Sequence, residues 1–361
     1  MRRVLGTSVL LCAVVAVISA QAPQWTADPL WPKPLPNHWI LGSVTGLATG
    51  SDGTTWVAHR GAASMNLRTE NALDATPPGA EYCCAAAPPV LAFDSAGTLV
   101  ASWGGPGEGY DWPQNPGGLA VDADGHVWLT AQGLPAAPAG RGGRGGRGGN
   151  TPPPPEDAHI LKFTRDGKFV LQIGKAGEPG DATSQVGLRR PAGVAVASDS
   201  NEVFVADTGN NRVVVFDATS GAYKRHWVVP VRENSLSCVT LGHGDEVFVC
   251  DKVGNRVVVF QRDGTFVRDG AVASSTGGSG AVWDIALSRD ADARHIFVAN
   301  GAEQTVHILQ RDTLAEVGRL GAGGRWPGHF YGVGSVDVDS QGNVITGEAL
   351  QGKRVQKFLV R

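Results

Sequence analysis

A motif of four short β-prone runs recurs along the chain and limits the folds that it can adopt. The clearest copy, residues 190–227, alternates runs rich in valine, phenylalanine and other β-branched or aromatic residues with clusters of glycine, asparagine, aspartate and serine. Each run has the length of a typical strand, and each connection has the composition of a tight turn. Each copy is therefore predicted to form an antiparallel meander of four strands.

Six copies of this motif can be recognised. Their first strands contain, in order, Thr45, Gly117, Ala192, Ser237, Trp283 and Gly334, so that the spacing is about 45 residues where no insertion intervenes. An isolated meander cannot bury both of its faces, and neighbouring copies must pack against one another. The sequence thus predicts an all-β protein, a six-bladed β-propeller made of four-stranded antiparallel blades.

The last copy is incomplete. Between Gly334 and Val360 it contains only three recognisable strands, whereas the tryptophan-containing residues 24–31 precede the first copy and belong to none. We predict that this N-terminal segment supplies the missing outer strand, because closing the ring removes an open sheet edge.

The motif resembles a known repeat. Residues 191–196, the run Val205-Ala206-Asp207, the run Asn211-Arg212-Val213 and Phe216 are similar to the NHL repeat. Six such units imply a six-bladed NHL propeller over nearly the whole chain after residue 22. This fold hosts ligand binders, interaction modules and enzymes alike, so the resemblance by itself assigns no chemistry.

The N-terminus has the features of an export signal. Arg2 and Arg3 precede a short apolar run that ends in small residues near Ala22. We predict a cleaved signal peptide over residues 1–22, a periplasmic or extracellular location, and one propeller domain over residues 23–361. No later stretch is apolar and long enough to predict a membrane span.

Two insertions interrupt the repeat pattern, residues 61–87 and 134–156. The second is so rich in glycine, arginine and proline that it cannot bury apolar surface and is predicted to be disordered. The formal net charge of the chain is −3, and this mild acidity argues against a nucleic-acid partner despite the arginines of the insertion.

Four cysteines follow the predicted signal peptide. Cys238 and Cys250 are placed nearly opposite each other on adjacent strands, so they form either a cross-strand disulfide or a pair of buried free thiols. Cys83 and Cys84 either bond to each other as neighbours or pair elsewhere.

In a propeller the first strand of each blade lines the central channel, where a ligand would meet it. Two aligned positions of the first strands are expected to face this channel. The first is the set from Thr45 to Gly334 by which the six copies were recognised, and the second consists of Gly46, Gly118, Gly193, Cys238, Asp284 and Ser335. Most of these residues are small, as crowded channel strands require, and the polar or aromatic exceptions are candidates for ligand binding.

A second resemblance concerns the chemistry. The segment His59-Arg60-Gly61 is similar to the catalytic arginine region of peptidylglycine α-amidating lyases, and other stretches, among them residues 100–106, resemble secreted bacterial lyase-like propellers. This resemblance implies cleavage of a peptidyl-α-hydroxyglycine into an amide and glyoxylate. It also implies Arg60 as a catalytic residue, Lys252 at the position of a second arginine, and three channel histidines that hold zinc.

The three zinc positions hold other residues here, namely Gly117, Ser237 and Gly334. Glycine has no ligand atom to offer, and a serine hydroxyl is a poor zinc ligand near neutral pH. We therefore predict no metal ligands and no cofactor. Zinc or calcium would be expected only if the lyase-like activity persists.

The sequence accordingly favours an exported binding propeller of lyase-like descent. Its predicted partner is a peptide, a small molecule or another exported protein, held at the channel mouth. The predicted ligand-binding residues are Arg60, Ser237, Trp283, Asp284 and Ser335, and the predicted catalytic residues are Arg60 and Lys252. The alternative is an amidating lyase-like enzyme with a non-standard site.

Overall fold

The computed structural model describes residues 24–65, 84–133 and 155–361. The predicted signal peptide lies outside these residues, as do Cys83 and most of both insertions. Within the described ranges there are two short 3-10 helices, Gly61–Ser64 and Thr208–Asn210, and no α-helix. No described helix reaches the length and apolarity that crossing a bilayer would need.

Strands account for the rest of the regular structure. Two short ones come first, β1 (Trp25–Ala27) and β2 (Trp39–Ile40); β2 pairs in parallel with β5 (Ala85–Ala86). Blade 1 contains β3 (Val44–Thr49), β4 (Thr55–His59), β6 (Val90–Phe93) and β7 (Leu99–Trp103). Blade 2 contains β8 (Pro116–Val121), β9 (Val127–Ala131), β10 (His159–Phe163) and β11 (Phe169–Gly174). Blade 3 contains β12 (Pro191–Ala197), β13 (Glu202–Asp207), β14 (Arg212–Asp217) and β15 (Tyr223–Val228).

The other three blades follow the same plan. Blade 4 contains β16 (Leu236–Leu241), β17 (Glu246–Asp251), β18 (Arg256–Gln261) and β19 (Phe266–Ala271). Blade 5 contains β20 (Asp284–Leu287), β21 (His295–Asn300), β22 (Thr305–Gln310) and β23 (Glu316–Leu320). Blade 6 contains β24 (Val333–Val338), β25 (Val344–Glu348) and β26 (Val355–Val360), completed by β1.

The ring closes as the sequence predicts. β1 pairs antiparallel with β26, with Trp25 opposite Val360 and Ala27 opposite Phe358. The sheet order of blade 6 is therefore β1-β26-β25-β24. The prediction of a six-bladed, four-stranded propeller with an N-terminal closing strand is confirmed.

The core lies between the blades. The second and third strands of a blade are covered on both faces by neighbouring blades, and for this reason they are apolar nearly throughout. Between blades 3 and 4, for example, Phe204, Val215 and Trp227 pack in one buried cluster with Val249 and Phe260. The outer strands alternate between partly buried and exposed residues, since only one of their faces meets a neighbour.

The aspartate and arginine of the repeat have a structural role. Asp207 and Arg212 are fully buried, and Arg212 Nε donates to Asp207 Oδ2 over 2.8 Å. The remaining guanidinium nitrogens donate to the carbonyls of Ala182, Ser184 and Gly187 at 2.7–3.0 Å. The aspartates that end the second strands thus fix turns, as their sequence context predicts.

The cysteines of blade 4 settle one alternative left open by the sequence. Cys238 on β16 and Cys250 on β17 form a disulfide, with their Cα atoms 5.0 Å apart. Cys84 is also disulfide-bonded. The Cys238–Cys250 bond joins a channel strand to the strand that leads to Lys252.

Candidate functional site

A cavity of about 620 Å³ runs along the propeller axis between the first strands of the blades. We call the end where these strands begin the front face and the other end the back face. The second strands run antiparallel to the first and end at the front face, as the pairs Val44–His59 and Leu236–Asp251 show. Arg60 and Lys252 directly follow two second strands, so both lie at the front face and line the cavity.

His59 holds the turn that presents Arg60. Its buried ring accepts hydrogen bonds at Nδ1 from the amides of Gly42 and Gly61, at 3.1 and 3.0 Å, and its Nε2 lies 2.8 Å from the carbonyl of Pro88. Two amide donors at Nδ1 fix the neutral tautomer that carries its proton on Nε2. Burial lowers the pKa of His59 to about 4, so the ring stays neutral and acts as a structural support.

The Arg60 side chain has no protein partner among the described residues. Its backbone amide donates to the carbonyl of Ser43 over 3.0 Å, but its Nε is buried without any hydrogen-bond acceptor. No described carboxylate forms an ion pair with it. Burial lowers the pKa of the guanidinium, which nevertheless stays charged because the normal pKa of arginine is so high.

Lys252 lies close to Arg60 and lacks a counter-charge as well. Its Nζ stands 3.5 Å from the ring centroid of Trp283, and no described residue forms a hydrogen bond or ion pair with it. Burial, with a smaller contribution from the charge of Arg60, lowers the pKa of Lys252 to about 8. The indole face favours the ammonium form, so Lys252 carries its proton at neutral pH.

Asp284 is an acidic group deeper in the same wall. Its carboxylate accepts from the amides of Ile285 and Val336, at 2.9 and 3.1 Å. Part of its surface faces the cavity, and the walls of the channel shield the rest from solvent. This burial, with the nearby charge of Asp337, raises the pKa of Asp284 to about 7.

Of the other three predicted residues, two line the cavity and one does not. Ser237 lines the cavity and donates through Oγ to the carbonyl of Val282 over 3.0 Å. Trp283 also lines it and donates from Nε1 to the carbonyl of Gly280 over 2.8 Å. Ser335 is not one of the lining residues, because its buried Oγ lies against Gly347 on the next strand. The structure therefore brings Arg60, Lys252, Trp283, Asp284 and Ser237 to one cavity and leaves Ser335 outside it.

The three positions where the lyase resemblance implies zinc ligands do not fit that metal. A Cβ atom at Gly117 would lie 2.4 Å from Thr130 Oγ1, and one at Gly334 would lie 2.9 Å from Ala349 Cβ. At both positions a side chain could be accommodated only if its neighbours moved. The third position, Ser237, has its hydroxyl engaged with a carbonyl. These residues offer no zinc site.

Another group of potential ligands lies elsewhere. Among the described residues, Asp122, Asp124 and His126 converge in a hairpin turn that does not line the cavity. Asp122 is already engaged by Lys162, at 3.4 Å, and by His126, at 3.2 Å. These contacts explain the cluster as turn structure.

Two charged residues of the channel were not predicted from the sequence, Asp337 on β24 and Arg289 just after β20. At the back face Arg289 Nη2 donates to the carbonyl of Thr49 over 3.0 Å and lies 3.7 Å from Asp337 Oδ2. Asp337 also accepts from the amide of Thr49. The sequence does contain a signal for Asp337: two positions beyond the aligned residue Ser335, it is the one charged residue among the six blades, where the others have Ala48, Ala120, Ala195, Thr240 and Ala286.

Comparisons with known proteins agree with the fold. Residues 188–216 match the model of the NHL repeat family, and no curated protein matches the chain. A streptogramin B lyase structure is 10% identical, covers 93% of this chain and 98% of its own, and superposes with a TM-score of 0.52. A catalytically inactive virginiamycin B lyase from Staphylococcus aureus, solved with quinupristin, is 13% identical, with coverages of 93% and 88% and a TM-score of 0.50. At these identities the likeness establishes the propeller fold alone.

Proposed function

We propose that this propeller, which carries an NHL repeat, is an exported binding protein that holds the carboxylate of its ligand at the front end of the channel. One observation carries the proposal: Arg60 and Lys252 face the same cavity, lie near each other and have no acidic partner among the described residues. An anion placed between them would supply the missing charge.

The energetics support an anionic ligand. Removing two like charges from water is costly unless an opposite charge compensates them. Elsewhere in this protein buried arginines satisfy that rule, as Arg212 does with Asp207. A carboxylate can accept two parallel hydrogen bonds from a guanidinium and a further one from an ammonium. Hydrogen bonds of this charged kind contribute about 1.5–3 kcal/mol each.

The size of the cavity admits a small molecule or the end of a peptide, because binding pockets of about 300–1,000 Å³ hold such ligands. Trp283 provides an aromatic wall beside Lys252, and Asp284 provides a polar group further in. The ligand thus combines a carboxylate with a neutral or apolar body.

Binding of matched carboxylate and amide probes tests the proposal. Isothermal titration calorimetry of the chain from residue 23 onward with N-acetyl amino acids is expected to show binding that disappears for the corresponding amides. Arg60→Met and Lys252→Met should each weaken carboxylate binding by about tenfold or more, equivalent to about 1.4 kcal/mol.

A charge-matched control separates local from general electrostatics. Lys168→Met and Arg294→Met remove exposed cations, with side-chain exposures of 78% and 68%, and should leave affinity unchanged. Equal affinity for carboxylates and amides would contradict the proposal.

A lyase-like enzyme is the second candidate, favoured by two groups of one cavity whose pKa values lie near neutrality, Asp284 and Lys252. Glyoxylate release from a peptidyl-α-hydroxyglycine, assayed after incubation with zinc and dialysis, tests it. We expect no turnover and no stoichiometric zinc. Turnover abolished by Arg60→Ala would favour the enzyme instead.

A further inference from the structure

The loop between β23 and β24 crosses the front face of blade 6 in a fixed conformation. Phe330 is its anchor, fully buried and packed against Phe358 with ring centroids 5.6 Å apart. Gly321 admits this ring: its φ is 73°, and a Cβ there would lie 2.2 Å from Phe330. The loop is therefore tied into the core of the blade.

Side chains of the adjoining hairpin fasten the same loop. Arg354 donates to the carbonyls of Arg325 and His329, at 2.6 and 2.7 Å. Glu348 accepts from the amide of Tyr331 over 2.8 Å. Since these bonds hold both halves of the loop, its side chains are presented at defined positions.

Despite this rigidity, the loop leaves large rings in solvent. Trp326 is 75% exposed and Tyr331 is 39% exposed, while the guanidinium of Arg325 lies 4.3 Å from the centroid of the Tyr331 ring. Exposed apolar surface on a fixed support is the usual property of a binding site, because little conformational freedom is lost when a partner covers it.

Leu350 connects this loop to the channel. It lines the cavity, is 57% exposed and has a φ of 53°, a conformation that leucine seldom adopts. Its carbonyl accepts from Ser43 Oγ over 2.8 Å, and Ser43 in turn accepts from the amide of Arg60. On its other side, the neighbouring Gln351 contacts the Tyr331 hydroxyl over 3.4 Å. Ser43 and Gln351 thus link Arg60, Leu350 and Tyr331 in one strip of front-face surface, and Arg325, which lies over the Tyr331 ring, places its chain neighbour Trp326 at the outer end of that strip.

We propose that this strip binds the apolar side chains of a peptide whose C-terminal carboxylate is held by Arg60 and Lys252. The inference rests on the proposed function and adds the class of ligand and its direction. The strip leads outward from the cationic pair over blade 6, so an extended chain can place its terminus in the channel and its preceding residues on the rings. A small carboxylate would fill the cavity and leave the strip uncovered.

Four labelled hexapeptides provide the test, measured by fluorescence anisotropy with the chain from residue 23 onward. One pair ends in four alternating phenylalanine and leucine residues, and the other consists of serine and glycine. Each pair contains one peptide with a free carboxylate and one with a terminal amide. We expect the apolar peptide with the free carboxylate to bind about tenfold more tightly than its polar counterpart.

Variants of the exposed aromatic residues test whether they contribute to the affinity for apolar peptides. Trp326→Ala and Tyr331→Ala should each weaken binding of the apolar carboxylate peptide about fivefold and leave that of the polar one unchanged, since tryptophan and tyrosine are enriched among the residues that dominate interface affinity. Leu30→Ala, which truncates an 80% exposed leucine outside the cavity lining, is the matched control and should change neither. Thermal denaturation of each variant verifies that it is folded.

The outcomes distinguish the two proposals. In two outcomes, binding depends on the carboxylate but shows no preference for apolar side chains, or no effect of Trp326→Ala and Tyr331→Ala. Either result would contradict the proposed role of the strip and leave the proposed anion site intact. Binding of the amides as tightly as the carboxylates would overturn the anion site. Absence of binding by all four peptides would overturn both.

Discussion

The two ends of the channel treat charge in opposite ways. At the back face, Arg289 reaches the carbonyl of Thr49 and the carboxylate of Asp337, so that charge and hydrogen-bond donors are matched within the protein. At the front face, Arg60 and Lys252 have no such partners among the described residues. The charges of the back face are matched within the protein, whereas those of the front face would be matched only by the anionic ligand that we propose.

Arg212 sharpens this contrast. It is buried more fully than Arg60, yet four acceptors surround its guanidinium. The same residue type thus serves as a structural cation in blade 3 and as an unpaired cation in the channel. Natural proteins retain unfavourable groups of the second kind mainly where function requires them.

The largest expected difference is in stability. Arg212→Met should lower the free energy of unfolding by about 3–5 kcal/mol, because it leaves the Asp207 carboxylate buried without its ion pair. Arg60→Met removes no protein interaction of the guanidinium and should leave stability unchanged or raise it. Urea denaturation of both variants measures the difference. Equal destabilisation would mean that Arg60 is a structural residue.

The next effect concerns pH. Because the pKa of Lys252 lies near 8, its ammonium loses its proton as the pH rises from 7 to 9, and affinity for a carboxylate probe should fall up to about tenfold. Lys252→Arg should keep the affinity constant to within about twofold over this range, because arginine stays charged and only the smaller effect of Asp284 remains. Titration at several pH values checks both. A pH-independent affinity of the unmodified protein would exclude Lys252 from the site.

The same lysine should make the stability of the fold change with pH in the opposite direction to ligand affinity. Its pKa is lowered from an ordinary value of 10.5, so between pH 8 and 10.5 the unfolded chain binds a proton that the folded protein has released. The contribution of Lys252 to stability therefore increases with pH in that window. Comparing the pH dependence of unfolding for the unmodified protein and Lys252→Met isolates this contribution.

A smaller effect is expected at the back face. Arg289→Ala removes a partly exposed ion pair and one hydrogen bond, and it should reduce stability by about 1 kcal/mol. Carboxylate affinity should not change, since this residue lies at the opposite end of the channel. A large loss of affinity would show that the two ends act as one site.

Asp284→Asn should have only a small effect on binding. The pKa of Asp284 is raised from 3.8 to about 7, so the stability that this group contributes is present below pH 4 and is lost as the pH rises through 7. The variant should therefore be relatively more stable at pH 8 and bind a carboxylate about twofold more tightly there. Calorimetry at pH 5 and pH 8 measures both quantities.

Much of the fold was predictable, for reasons visible in particular elements. The repeat near Asp207 sets strand length, turn position and blade packing together, and counting three strands after Gly334 reveals the need for β1. The site was predictable only in part. Arg60 and Lys252 were identified by resemblance, but no sequence pattern shows that Arg60 lacks a partner while Arg212 has four acceptors. That difference depends on contacts between distant residues, as does the exposure of Trp326.

The closing strand has a consequence for how the molecule is made. Trp25 Nε1 donates to the carbonyl of Gly342, 317 residues away along the chain, and the whole β1–β26 ladder joins segments this far apart. Bringing such segments together costs conformational entropy before any ladder bond repays it, and topologies of this kind fold slowly. Until β1 docks, β26 is an open edge with unpaired amides and carbonyls. The blade thus keeps an edge open to pairing with other chains until this strand docks.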